Sequence, residues 1–254
     1  MKKVISLFLV FTMLLISTSN VFAENRNQMP SKNKSWNMQL SIEDLNRVAQ
    51  RLENFLNDSN IDAEKKKEIR NMYNETIRMI KRLESKRNTS KSKESDLISF
   101  SDGINLDIWD YFNEGDTAYH SHESTNLPGN FASIRVNSER VTWTGFDWSG
   151  TSYSRWIGTD PSEAYEIQNT ITLNVKGVAI SGSLNGISFS GATSAKAIAT
   201  DSNRDDWRST ISFDAHTGPS TMWISFESSS SVKLTSNSTK DITSAKITIW
   251  EPTF

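Results

Sequence analysis

Three stretches of the chain carry side chains whose type and spacing could do chemistry. The first is the aromatic run Trp143-Thr-Gly-Phe146-Asp-Trp148-Ser-Gly-Thr-Ser-Tyr153-Ser-Arg-Trp156, which sets five large rings among glycine, serine and aspartate. Asp147-Trp-Ser-Gly150 has the composition of a turn. Rings at a turn tip can stack on sugars or rest at a membrane interface with their N–H or O–H in water. Trp143, Phe146, Trp148, Tyr153 and Trp156 are therefore the expected ligand-binding residues, against the plainer expectation that a core absorbs most of them.

The second stretch is Asp201-Ser-Asn203-Arg-Asp205-Asp206, with oxygen ligands at alternating positions. A hard cation such as Ca2+ needs several oxygens at once, so Asp201, Asn203 and Asp205 are the candidate metal residues and calcium the candidate ion. The loop departs from an EF-hand: Asp206 stands where the turn glycine belongs, Ser212 replaces the bidentate glutamate, and Arg204 adds positive charge. A polar turn between strands explains it as well. His120-Ser-His122 on a strand would aim both imidazoles to one face, with His216 as a conceivable third ligand.

The third stretch is Val178 to Ala199. Asn185-Gly186 is the strongest turn signal in the chain, because both positions accept positive φ and the flanks alternate. A two-residue turn pairs Leu184 with Ile187, Gly182 with Phe189 and Ile180 with Gly191. Val178, Ile180, Leu184, Ile187 and Phe189 then share one side of the hairpin with a row of serines on the other, which is also how a membrane-inserting hairpin is patterned. The Val178–Leu184 arm is shorter than the roughly 9 to 11 residues that a spanning strand needs.

No cofactor-binding motif and no enzyme signature accompanies these stretches: Gly-x-Ser-x-Gly, His-Glu-x-x-His, a phosphate loop and a dinucleotide fingerprint are all missing. The chain has no Cys, which removes disulfides, thiolate metal sites and cysteine nucleophiles. A carboxylate pair for glycoside cleavage would meet only in space and leaves no mark in sequence.

The elements that must position these residues divide the 254 residues in two. Lys2 and Lys3, the apolar run Val4 to Ile16, and Val21 and Ala23 follow the order of a secretory signal cleaved after Ala23. Glu24 to Ser95 then carries 16 Lys+Arg and 11 Asp+Glu with no Gly, whereas Asp96 to Phe254 carries 10 and 19 and all 11 Gly. Residues 24–40 read as a flexible leader, 41–87 as a helical hairpin and 88–96 as a linker. Within the hairpin, Ser41-Ile-Glu-Asp44 resembles a capping box, and Leu45, Val48, Ala49, Leu52, Phe55 and Leu56 recur at helical spacing. Asp62 can cap a second helix with the stripe Ile69, Met72, Tyr73, Thr76, Ile80 and Leu83. Its basic end, Lys81, Arg82, Lys86 and Arg87, is expected to project.

Residues 97–254 hold many short alternating segments and read as an all-β antiparallel sandwich, with a barrel as the alternative. Tyr165 to Lys176 alternates most cleanly, and the phase slip at Gly177 suggests a bulge or bend. The expected class is thus α+β, a helical hairpin followed by a sandwich. The expected function is a secreted, non-enzymatic binding protein for a glycan or another cell-envelope component. The alternatives are a membrane-active toxin-like protein whose helical hairpin is a pro-region, and a hydrolase. A nucleic-acid partner is disfavoured by the acidic larger half, and nothing in the pattern fixes the oligomeric state.

Overall fold

Each helix starts where the capping chemistry places it. In a computed structural model, which describes residues 36–93, 108–142 and 145–250, helix α1 spans Ile42–Asn57 and the Asp44 N–H donates to the Ser41 Oγ at 3.2 Å. Helix α2 spans Ala63–Lys93, and the Lys65 N–H donates to the Asp62 carboxylate at 2.8 Å. These side chains satisfy helix N–H groups that would otherwise have no partner. The expected signal segment, the first residues of the expected β region (97–107) and Trp143 lie outside the described residues.

Twelve strands follow the same alternation logic: β1 (Trp36–Leu40), β2 (Ile108–Phe112), β3 (Thr117–Glu123), β4 (Asn130–Thr142), β5 (Gly145–Trp156), β6 (Ala164–Gly177), β7 (Ile180–Leu184), β8 (Ile187–Gly191), β9 (Ser194–Asp206), β10 (Arg208–Thr217), β11 (Thr221–Lys233) and β12 (Asp241–Trp250). They form two six-stranded sheets, sheet A in the order β2-β1-β12-β11-β6-β9 and sheet B in the order β3-β4-β5-β10-β7-β8. All pairings are antiparallel. The sheets do not close into a barrel, so the sandwich is the architecture.

Side chains of one parity from each sheet make the core: Ile171, Leu173, Val175, Ile224, Phe226, Ile247 and Ile249 from sheet A meet Ile134, Val136, Trp148, Leu184 and Phe213 from sheet B. Toward one end the core turns polar. Ser152 Oγ lies 2.7 Å from Asn169 Oδ1 and 2.8 Å from Ser228 Oγ, and the Ser230 hydroxyl donates to Asn130 Oδ1 at 2.6 Å. All five of these residues are fully buried. The seam is tolerated because its members satisfy one another.

The helical hairpin connects β1 to β2, which are neighbours in sheet A. Trp36, Met38 and Leu40 of β1 are buried between the sheets, and β1 pairs on its other side with β12. Residues 36–40 are therefore an interior strand rather than the end of a leader. An excised hairpin would have to take this strand out of the sheet. Leu45, Ala49, Met79, Ile80 and Leu83 extend the core at the β1–β2 side, while Val48, Leu52, Ile61, Ile69 and Met72 pack over Phe131 and Ile157. The hairpin thus covers one side of the sandwich and part of the outer face of sheet B.

The β7–β8 hairpin has the register expected from Asn185-Gly186, with Leu184 opposite Ile187, Gly182 opposite Phe189 and Ile180 opposite Gly191. Asn185 and Gly186 have φ of 49° and 78°. The slip at Gly177 coincides with an irregularity in the β6–β11 pairing, where Thr221 pairs with Gly177 and Trp223 with Lys176. Strand β6 ends there and the chain crosses to sheet B, while the register irregularity lies on the partner strand between Thr221 and Trp223.

Candidate anion-binding cleft

The outer face of sheet B and the facing side of α2 build the most chemically loaded site among the described residues. On α2, Glu64, Glu68 and Glu75 recur at helical spacing and so share a face. Under them, three strands present Arg208 (β10), Arg155 (β5) and Arg135 (β4). Arg155 and Arg208 are direct cross-strand neighbours, as are Tyr153 and Thr210. The acids and cations meet in order: Arg208 Nη2 to Glu64 at 3.2 Å, Arg155 Nε to Glu68 at 2.9 Å, and Arg135 Nη1 to Glu75 at 3.9 Å. Arg78, one turn along α2, donates to Glu75 at 3.0 Å.

The N-terminal segment is basic in total and the β segment acidic, yet at this contact the helix supplies the acids and the sheet the cations. At the rims the sense is reversed: Arg51 donates twice to Glu123, at 2.8 and 3.1 Å, and Arg82 donates to Asp116 and to the Thr117 carbonyl, both at 2.7 Å. Arg82 is therefore anchored rather than projecting. Lys65, nearly fully buried, donates to the Gly158 carbonyl at 2.9 Å and to that of Ser162, and burial lowers its pKa.

Between α2 and the sheet lies a cleft of about 430 Å³ lined by Glu68, Asn71, Glu75, Arg78, Tyr119, Arg135, Tyr153, Arg155, Arg208 and Thr210, among others. Arg155 is its centre. Its side chain is only 5% exposed, its guanidinium carbon lies 3.9 Å from the centre of the Tyr153 ring, and both Nε and Nη2 donate to one oxygen of Glu68. Its Nη1 is buried without a hydrogen-bond partner, and so is the Nε of Arg135. Burial alone would raise the Glu68 carboxyl, but the charge and hydrogen bonds of Arg155 bring it below its ordinary value, so Glu68 is an anion at neutral pH. Burial raises the Tyr119 phenol, which stays protonated as a donor. With four arginines against two glutamates along its walls, the cleft has uncommitted N–H donors, aromatic surface and amides. That set is the chemical complement of an anionic, hydroxyl-bearing ligand.

Of the described ring residues expected to bind, Tyr153 alone reaches this cleft. Phe146, Trp148 and Trp156 are 2%, 2% and 4% exposed. The Asp147–Gly150 segment is not a turn but the middle of β5, paired on both sides by β4 and β10. Trp148 donates its indole N–H to Thr217 Oγ1 at 3.0 Å and Trp156 donates to the Pro161 carbonyl at 2.7 Å, so both polar ends are satisfied inside. In the hairpin, Ile180 and Leu184 are in the core, Phe189 is half-buried, and Val178 and Ile187 are exposed.

The metal expectation is corrected. Asp201, Asn203 and Asp205 lie along strand β9 rather than in a loop wrapped on an ion. Asp201 accepts from Ser209 Oγ at 2.7 Å and Asn203 donates to the Arg208 carbonyl at 2.8 Å, so the polar groups tie β9 to β10. No group of three or more His, Asp or Glu able to hold a metal occurs among the described residues. His120 and His216 stand on β3 and β10, which two strands separate in sheet B, or roughly 14 Å at the usual strand spacing. His216 instead pairs its Nδ1 with Asp147 at 2.7 Å. Ser183 sits opposite His216 in the β7–β10 pairing.

Reasoning from sequence missed Arg135, Arg155, Arg208 and the Glu64-Glu68-Glu75 row. The available signals were the shared parity of Tyr153 and Arg155 and the helical spacing of the three glutamates. Neither says that the two rows meet.

No protein-family model and no curated protein matches the chain. Among solved structures, one described as a protein from Archaeoglobus fulgidus is similar at 8% identity and a TM-score of 0.20, covering 48% of this chain and 96% of its own.

Proposed function

We propose that this is a secreted, non-enzymatic binding protein that recognises an acidic glycan, or another anionic component of a cell envelope, in the cleft between α2 and sheet B. Export is supported by the Lys-apolar-Ala23 order at the start of the sequence. Binding is supported above all by Arg155: Glu68 holds one edge of its guanidinium, Tyr153 stacks on its face, and one donor is left free and buried. A guanidinium fixed before the ligand arrives loses little entropy on binding. The free donors of Arg155 and Arg135 suit carboxylate or phosphate oxygens, while Asn71 and Thr210 suit sugar hydroxyls.

The experiment is calorimetric titration of the mature protein with oligogalacturonate and with glycerol phosphate oligomers. The double variant Glu68→Gln/Arg155→Gln removes the cation without stranding its partner. Losing a hydrogen bond to a charged group costs about 1.5–3 kcal/mol, so affinity should fall roughly 10- to 150-fold. Binding that is unchanged in the double variant, or absent with both probes, refutes the reading.

A further inference from the structure

The helical hairpin packs on sheet B and along the β1–β2 side, and among the described residues no helix lies over the outer face of sheet A. On that face the pairing register builds an ordered array. One row runs Lys176, Trp223, Trp250 and Asn37 across β6, β11, β12 and β1. The next runs Lys196, Asn174, Ser225, Thr248 and Gln39 from β9 to β1. A third sets Thr172, Glu227 and Lys246 side by side. The ammonium groups of Lys176 and Lys246 lie 5.1 and 5.8 Å from the centre of the Trp223 ring. Three exposed lysines against one glutamate make this a cationic spot on a half-chain that is acidic overall. In the middle of it Ser225, on the same strand face as Trp223, is fully buried with its hydroxyl unpartnered.

We infer that the Trp223 face of sheet A is a second ligand site, shaped for an extended anionic polysaccharide. A half-exposed indole offers a flat surface to the apolar side of a sugar ring. Lysines around it answer acid groups spaced along a chain, and Asn174, Thr248, Gln39 and Asn37 offer donors and acceptors to hydroxyls. Beyond the aromatic row the face continues as hydroxyls, with Thr170 bonded to Thr200 at 3.2 Å and Ser229 and Ser244 alongside. This flat hydroxyl carpet speaks against a lipid surface, which would need apolar side chains to insert. The exposed Ile198 and Ile242 stand singly within it. The site shares no residue with the cleft, and the two lie on opposite outer faces. A polymer that engages both, or neighbouring copies of the protein, would gain avidity.

The test uses the full mature chain with long-chain polygalacturonate, a short oligogalacturonate and phosphatidylglycerol vesicles as probes. The variants are Trp223→Ala, Trp223→Phe, Lys176→Gln/Lys196→Gln, and the cleft double variant Glu68→Gln/Arg155→Gln. The inference expects Trp223→Ala and the lysine pair each to weaken polymer binding on the order of 10²-fold, the scale of lost bivalency. Trp223→Phe, which keeps a ring, should recover most of it. If the cleft reading alone is wrong, the cleft variant binds as wild type while Trp223→Ala still loses affinity. Polymer binding that is unaffected by Trp223→Ala and by the lysine pair overturns the inference, as does wild-type binding to vesicles with none to the polymer.

Discussion

Replacing Glu68 by Gln leaves Arg155 as a cation with a 5% exposed side chain and no formal counter-charge beside it. Breaking a buried ion pair from one side costs about 3–5 kcal/mol when nothing replaces the lost charge. Two features reduce that figure here: the Glu68 side chain is itself 23% exposed, and the Gln carbonyl still accepts a hydrogen bond. A loss of about 2–3 kcal/mol is the working value, or roughly 4–12 °C in Tm for a domain of this size. The pH dependence has a definite sign. The charge and hydrogen bonds of Arg155 hold the folded-state pKa of Glu68 below its ordinary value, so the pair stabilises fully above the unfolded-state pKa, and that stability drains away as pH falls through the folded value. The gap between wild type and variant should therefore be widest near neutrality and close in acid. An anion bound at Arg155 would restore the missing charge, and ligand at 100 times its Kd contributes about 2.7 kcal/mol. The assay is thermal unfolding of both proteins in Tris and in citrate at matched ionic strength. The Glu68→Gln protein should be rescued more by citrate than wild type is. Equal shifts in both proteins, or a variant as stable as wild type at pH 7, would refute the account of Arg155 as a held, anion-seeking cation.

Burial draws the His120 pKa down from 6.5 to about 4, against the opposing effect of its bond to the Lys246 carbonyl. The unfolded chain then takes up the proton first, so stability should decline as pH drops from about 6.5 toward 4, and urea titrations of His120→Gln should show a flatter profile over that window. A Cβ at Gly182 would sit 2.0 Å from the His216 carbonyl oxygen and 2.2 Å from the Phe189 ring. Gly182→Ala should thus loosen the β7–β8 hairpin, read as faster amide exchange there, whereas Gly186→Ala meets no atom within 4 Å and should cost only about 1–2 kcal/mol for its positive φ. Asn169→Leu removes the acceptor of the Ser152 hydroxyl and the donor to the Ser152 carbonyl. Chemical denaturation should report a loss of about 1–3 kcal/mol for the stranded polar groups.

The elements that were legible in the sequence are those whose information is local. The Ser41 and Asp62 caps, the apolar stripes of both helices, the alternation of β6 and the register set by Asn185-Gly186 each depend on a few adjacent residues. Composition misled where pairing outweighed it. Asp147-Trp-Ser-Gly150 has turn-forming residues, yet hydrogen bonding to β4 and β10 on both sides draws it straight. Gly150 is needed there because a Cβ would lie 2.2 Å from the Arg135 carbonyl oxygen and 2.4 Å from the Phe213 ring. Strand β1 was hidden for another reason: Trp-Asn-Met-Gln-Leu alternates, but five residues beside a polar stretch are too few to show a period. The cleft was the least legible part, since its walls come from α2, β3, β4, β5 and β10. Regional charge totals run opposite to the sign of the central contact, because bulk charge does not say which face of a helix turns inward.

The pairing of Asn37 with Trp250 joins nearly the first described residue to the last. With β1 wedged between β2 and β12, sheet A stays in two unjoined parts until β12 takes its place. Until then β1 and β11 each keep a bare edge, and the ten residues of β12 close the sheet between them like a clasp.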